Sequence, residues 1–437
     1  MRAATLSLYV VIAATLSVVP MRAMAASALP VPAEDPAAFL RAAAKFLCAV
    51  EQPGPATIAD ALDGASIDEF RAISVRGEQV GWRATARFPQ GGEIRIRRRG
   101  TNERSGPLAV DYYETAADGM LRPIMTAVTD PDCRFAHGRR LLYDKAGRYD
   151  MLERFGPDLQ TVVGREPLNP PVPPGRNLPG IVIALFDAGL NYTLPKFAAR
   201  LHRAPSGASM GYDFWDRDSR PFDGNPARSP FYPVRHGTRV ASVLLAEAPY
   251  IRLLPYRYPR PDMRRMGDMV KAADANGAVV VSMPMGSNRV SDWATFVAAA
   301  LERPHMLFVV SAGNDGRDID AEPVYPAALD LETLLVVTSS TASGELAPRS
   351  NWGRSSVDLL IPAEDLPATD FNGRETTGSG ASFAVARTAA MAARLLRRNR
   401  AWRAPDLKRA ILSAAAQQPG GAEQSRHGWI AEPLKIR

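Results

Sequence analysis

Beyond residue 180 the chain is built from short unbroken apolar runs, "IVIALF", "GAVVVSM", "HMLFVVSA" and "TLLVVTSS", separated by stretches with apolar residues every three to four positions. Those stretches are "TRVASVLLAEA", "MGDMVKAADANG" and "DWATFVAAALER". Runs with no polar face belong to strands buried on both sides, and the periodic stretches to helices. The pattern predicts an α/β domain, a parallel sheet flanked by helices on both faces. Upstream, "DPAAFLRAAAKFLCAV" reads as a helix and "ATIADALDGA" as a candidate second one. Three later stretches, "VGWRATARFPQGGEIRIRRRG", "LAVDYYETAADGMLRPIMTAVT" and "RRLLYDKAGRYDMLERFG", each read as two strands about a glycine-bearing turn. A small α+β domain with a meander is therefore expected over residues 26–163. The proline-rich "REPLNPPVPPGRNLPG" excludes helix and predicts an extended linker over residues 164–180, ahead of the α/β domain at 181–437.

The first residues change the compartment. Arg2, the apolar run "LSLYVVIAATLSVV" and the small-residue pattern Ala23-Met24-Ala25 predict a signal peptide over residues 1–25, cleaved after Ala25. No other segment approaches the roughly 18 apolar residues of a membrane span. A periplasmic or secreted protein with no membrane span after cleavage is expected. In that setting Cys48 and Cys133, the only two cysteines, are expected to form a disulfide. The net charge of +7 is mild for 437 residues. Its basic runs, "RIRRRG" and "RLLRRNR", lie in no nucleic-acid-binding module, so no nucleic-acid partner is expected.

In α/β sheets chemistry gathers where strands end. Asp187 directly follows "IVIALF", His236 precedes Gly237-Thr238 and a helix, and Asn314 follows "FVVSAG". The stretch "TTGSGASFAVARTAAMAARLL" offers two serines, Ser379 and Ser382, at the mouth of a helix. Each feature has a plain structural reading: Asp-x-Gly and Asn-Asp-Gly are ordinary turns, and small residues let a helix start pack closely. Together they supply an acid, a base, an amide donor and a nucleophile.

The motifs "DAG", "HGT", "AGN" and "GAS", with Asp, His and Ser in that chain order, resemble those of the subtilisin-like (subtilase, S8) serine proteases. The resemblance extends over residues 179–416 and includes "GYDFWDRDSRPFDGNP", "SMPMGS" and "RSNWG". It implies a subtilisin-like fold and a serine endopeptidase acting on polypeptide through Asp187, His236 and Ser382. The register of Gly380-Ala381-Ser382-Phe383-Ala384 picks Ser382 over Ser379. The resemblance further assigns Asn314 to the oxyanion and Ser282, Met283, Pro284, Met285 and Gly286 to an edge that pairs with extended substrate. Ala381, Ala386 and Pro284 depart from the family pattern, and Pro284 removes one N–H from that edge. No cofactor is needed for this chemistry. The acidic residues Asp216, Asp218 and Asp223 lie where some relatives bind structural calcium, with a solvated loop as the alternative. A catalytically silent binding protein on the same fold and an acyl-transfer variant are the other functions compatible with these residues. Residues 26–163 read as a prosegment or as a retained accessory domain.

Overall fold

The computed structural model describes Leu29 and residues 34–50, 53–75, 77–89, 91–100, 105–419 and 423–436. The expected signal peptide lies outside the described residues. The chain divides into two compact units, Met1–Arg122 with Ala127–Arg134, and Pro123–Thr126 with Phe135–Arg437.

In the first unit, α1 (Pro36–Cys48) opens with Pro36 behind Asp35, whose carboxylate accepts the Ala38 N–H at 2.9 Å. After α2 (Pro55–Ala61) come β1 (Ser66–Val75), β2 (Glu78–Arg87), β3 (Glu93–Gly100) and β4 (Ser105–Thr115), each antiparallel to the next. Alternate residues on three of these strands are buried: Trp82, Ala84 and Ala86, Ile94 and Ile96, and Leu108, Val110 and Tyr112. That period of two gives the sheet one apolar face, and Phe39 of α1 packs edge-on against Phe88 and Tyr112, at 5.3 and 5.5 Å. Cys48 and Cys133 form a disulfide across 85 residues of chain, a closure that stabilises the unit by roughly 4.6 kcal/mol on loop-entropy grounds. Strand β5 (Leu121–Thr129) has residues in each unit.

The second unit starts with an antiparallel set, β6 (Phe135–Tyr143), β7 (Tyr149–Phe155) and β8 (Val162–Pro167). The two units thus divide upstream of the proline-rich stretch on which the sequence placed a boundary. Hydrogen bonds explain this. Arg139 on β6 donates to the Phe231 carbonyl at 3.1 Å, and Arg148 pairs with Asp218 at 3.0 Å. The stretch after β8 is anchored too, because its carbonyls have acceptor roles. Pro170 O takes the Tyr192 hydroxyl at 2.6 Å and Pro173 O takes the Arg203 guanidinium at 2.8 Å.

Next come β9 (Val182–Asp187), α3 (Pro195–Ala198), β10 (Tyr212–Asp213), α4 (Gly237–Glu247), β11 (Arg252–Arg257), α5 (Met266–Ala275), β12 (Val280–Met283) and α6 (Ala294–Leu301). They are followed by β13 (Leu307–Ser311), β14 (Leu334–Ser340), β15 (Leu359–Pro362), the hairpin of β16 (Leu366–Thr369) and β17 (Glu375–Gly378), α7 (Ala381–Arg398) and α8 (Ala404–Leu412). Seven strands form one parallel sheet in the order β10-β11-β9-β12-β13-β14-β15. Its two faces are both covered, as the apolar runs require. On β9, Ile183 and Leu185 join a core with Val240 and Leu244 of α4, Ala389 of α7 and Leu407 of α8. Val182, Ala184 and Phe186, pointing the other way, join a core with Val270 of α5 and Phe296 of α6. The architecture is the expected α/β sheet flanked by helices on both faces. Among the described residues no helix is long and apolar enough to cross a membrane.

Candidate active site

Strand order reverses at β9, so a crevice opens at the carboxyl ends of the central strands. Asp187 is the last residue of β9, and it is buried. Its Oδ1 accepts the Ala188 N–H at 2.6 Å and lies 2.7 Å from His236 Nδ1. His236 precedes α4 and reaches back toward β9 because Gly237 lets the helix start come very close. A Cβ at residue 237 would stand 2.0 Å from the Gly189 carbonyl oxygen.

From the other side of the crevice α7 brings Ser382, whose Oγ lies 3.2 Å from His236 Nε2. Gly380, just before this helix, has φ +107°, a left-handed conformation that glycine tolerates. A Cβ there would also stand 2.7 Å from Asn314 Oδ1. That oxygen accepts the Ala381 N–H at 2.9 Å. With Oδ1 so engaged, the Asn314 Nδ2 group and the Ser382 N–H are left without acceptors among the described residues. Ser379 points elsewhere: its Oγ accepts the Asp365 N–H at 2.9 Å. The structure brings Asp187, His236, Asn314 and Ser382 together, and leaves Ser379 on an exposed loop.

Two influences compete at His236. Burial lowers its pKa, while the Asp187 carboxylate, by charge and by hydrogen bond, and then Asp223 raise it; the net direction is upward. Imidazolium between two carboxylates is thus favoured over its ordinary level.

Ser282 and Met283 end β12, with the Ser282 hydroxyl buried and unpaired, and Pro284, Met285 and Gly286 continue past the strand end. The next residue, Ser287, makes a two-way antiparallel bridge with Tyr325, both bonds 2.8 Å. Beside this segment lies a pocket of about 740 Å³, lined in part by Trp215, Arg260, Met263 and Gly286.

The acidic segment is spoken for. Asp216 pairs with Arg257 at 2.5 Å and Asp218 with Arg148 at 3.0 Å. Asp223 takes main-chain N–H groups of His236 and Thr238, at 3.1 and 2.9 Å. Among the described residues no three acidic, His or Cys side chains are grouped to hold a metal. The role of Asp223 escaped the sequence reading, where "FDGNP" is only a turn. Its one signal was an aspartate in the stretch leading to "HGT".

Residues 179–429 match the pattern of the subtilase family, more than half of the chain, and the chain belongs to that family. It is 27% identical over 267 residues to a thermophilic serine proteinase of Bacillus sp. (strain AK1), a match covering 57% of this chain and 60% of that one. It is 29% identical over 180 residues to the minor extracellular protease Epr of Bacillus subtilis (strain 168), covering 38% of this chain and 27% of Epr. The chain therefore spans less than two thirds of the length of either relative. Among solved structures, a cold-adapted subtilisin-like serine proteinase is similar at 23% identity and a TM-score of 0.46, over 58% of this chain and 91% of that one.

Proposed function

We propose that the protein is an exported serine endopeptidase. The observation that carries this reading is the unbroken line from Asp187 through His236 to Ser382, with hydrogen-bond distances of 2.7 and 3.2 Å. Neutral His236 takes the Ser382 hydroxyl proton on Nε2 as Oγ bonds to the scissile carbonyl carbon. Its Nδ1–H donates to Asp187, which fixes the tautomer and stabilises the imidazolium. The Ser382 N–H and Asn314 Nδ2 hold the tetrahedral oxyanion. His236 then gives its proton to the amine nitrogen as the C–N bond breaks, leaving an acyl-enzyme. Water, deprotonated by the same imidazole, attacks the ester and releases the acid and Ser382. Only side chains and main-chain donors are used.

Substrate binds as an extended strand along Ser282, Met283, Pro284, Met285 and Gly286, where Pro284 offers a carbonyl but no N–H. Export is supported by the signal-peptide pattern, the disulfide and the extracellular relative. A fluorophosphonate probe tests the reading. Covalent labelling of Ser382 in the exported protein is expected, together with cleavage of an unfolded protein substrate. A well-folded protein that does neither is a binding protein on this fold.

A further inference from the structure

The proposed mechanism leaves unused a second buried carboxylate beside His236. Asp223 has no exposure, and its Oδ1 takes the N–H groups of His236 and Gly237, at 3.1 and 3.3 Å, while Oδ2 takes that of Thr238 at 2.9 Å. The first turn of α4 hangs on this one group. Asp223 is itself held. The Arg235 guanidinium donates to the Asp223 main-chain carbonyl, pairs with Glu166 on β8 and lies 4.1 Å over the Phe371 ring. The same loop is tied to β6. His137 Nε2 lies 2.8 Å from the Tyr232 hydroxyl, and Arg139 bonds to Phe231 O and stacks 4.1 Å over the Tyr232 ring.

We propose that Asp223 is a positioning residue for His236 and that Glu166, acting through Arg235, makes strands β6 to β8 a lasting part of the active enzyme. This rests on the proteolytic reading above. The Arg235 and Glu166 side chains are only 15% and 27% exposed. Loss of the chain up to residue 167 leaves a sheltered cation without its anion, and breaking such a pair is costly. The loop then shifts, Asp223 shifts with it, and His236 moves from a serine it reaches only at 3.2 Å. The charged groups acting on His236 are Asp187 at the end of β9, Asp223 on the loop and Arg239 in α4, and Tyr258 after β11 faces the same two carboxylates. Two carboxylates thus act on one imidazole. Removing the Asp223 charge takes away one of these two anions and leaves Asp187 to favour the imidazolium.

The test uses the full-length exported protein. Fluorophosphonate-labelled material is weighed intact, and every labelled species is expected to contain residues 135–167. A labelled species that begins after residue 167 overturns the proposal. Asp223→Asn keeps the shape of the side chain and removes its charge. Its kcat is expected to fall about tenfold to hundredfold, the loss of a misplaced catalytic group, with KM nearly unchanged and the acid limb of kcat/KM moved to lower pH. Glu166→Gln should lower kcat in the same way, and Glu166→Asp should restore part of it. The Glu166 pair also serves as the readout if Asp223→Asn does not fold. An unmoved acid limb in Asp223→Asn, or unchanged kcat in Glu166→Gln, overturns the proposal while the labelled wild type leaves the proteolytic reading standing. Absence of labelling in the wild type removes both.

Discussion

Two helices aim their N-termini at the same crevice, and they are finished in opposite ways. At α4 the amide groups of His236, Gly237 and Thr238 are all taken by the Asp223 carboxylate. At α7 the Gly380 N–H goes to the Ala363 carbonyl at 3.0 Å and the Glu364 carboxylate at 3.1 Å, and that of Ala381 to Asn314 Oδ1, but the next N–H, that of Ser382, is left open. Each helix start carries the same partial positive charge. On α4 it is neutralised inside the protein, so the helix holds a base in place. On α7, in the proposed mechanism, one donor, the Ser382 N–H, is kept for a charge that exists only during the reaction. A helix start is therefore a scaffold or a catalyst according to whether its donors are already engaged.

The comparison breaks most visibly at the nucleophile. Ser382→Ala is expected to abolish fluorophosphonate labelling and to cut kcat by about 10⁶-fold, a magnitude borrowed from subtilisin, a protein of this family. Residual turnover close to wild type would show that the open end of α7 is not where chemistry occurs. Next is the open end itself: Asn314→Ala should lower kcat by about 10²- to 10³-fold with KM nearly unchanged, again by the subtilisin precedent. A rise in KM at constant kcat would make Asn314 a substrate-binding group instead.

The closed end sharpens through pH. Catalysis needs neutral His236, and its pKa is raised, so activity is lost on acidification through a midpoint above the ordinary value of about 6.5. The pH dependence of kcat/KM measures it, and a midpoint below that value contradicts the two-carboxylate environment. The smallest effect belongs to Ser379→Ala. With its hydroxyl bonded to Asp365, this change should keep labelling and alter kcat/KM by no more than about twofold, as for other surface substitutions.

How much was legible in the sequence follows from what each residue's neighbours reveal. The parallel strands could be read because burial on both faces leaves no polar position, and Asp187 stood out because it ends such a run. Asn314 and Ser382 announced themselves by glycines that their backbones require. By contrast β1 was missed, since "SIDEFRAISV" has no buried face. Strand β8 was missed because most of it, Gly164 to Pro167, falls in the stretch that reads as linker. Composition says that "NPPVPPG" will be extended, but not that its carbonyls receive Tyr192 and Arg203. Asp223, Arg235 and Glu166 were illegible for a similar reason. Their meaning lies in hydrogen-bonding and charged partners up to 69 residues away, and no local pattern marks a charge that will be met across the fold.

Gly237 makes one practical demand on anyone who alters this protein. Any side chain at that position meets the Gly189 carbonyl, which belongs to the turn leaving Asp187. Relief requires moving either that turn or the start of α4, and each carries one member of the Asp187 and His236 pair with it. The glycine works as a gauge block: its missing side chain sets the spacing between acid and base. In a saturation library at residue 237 screened for activity, only glycine should be recovered, while a screen for folded protein alone should tolerate small residues that the activity screen rejects.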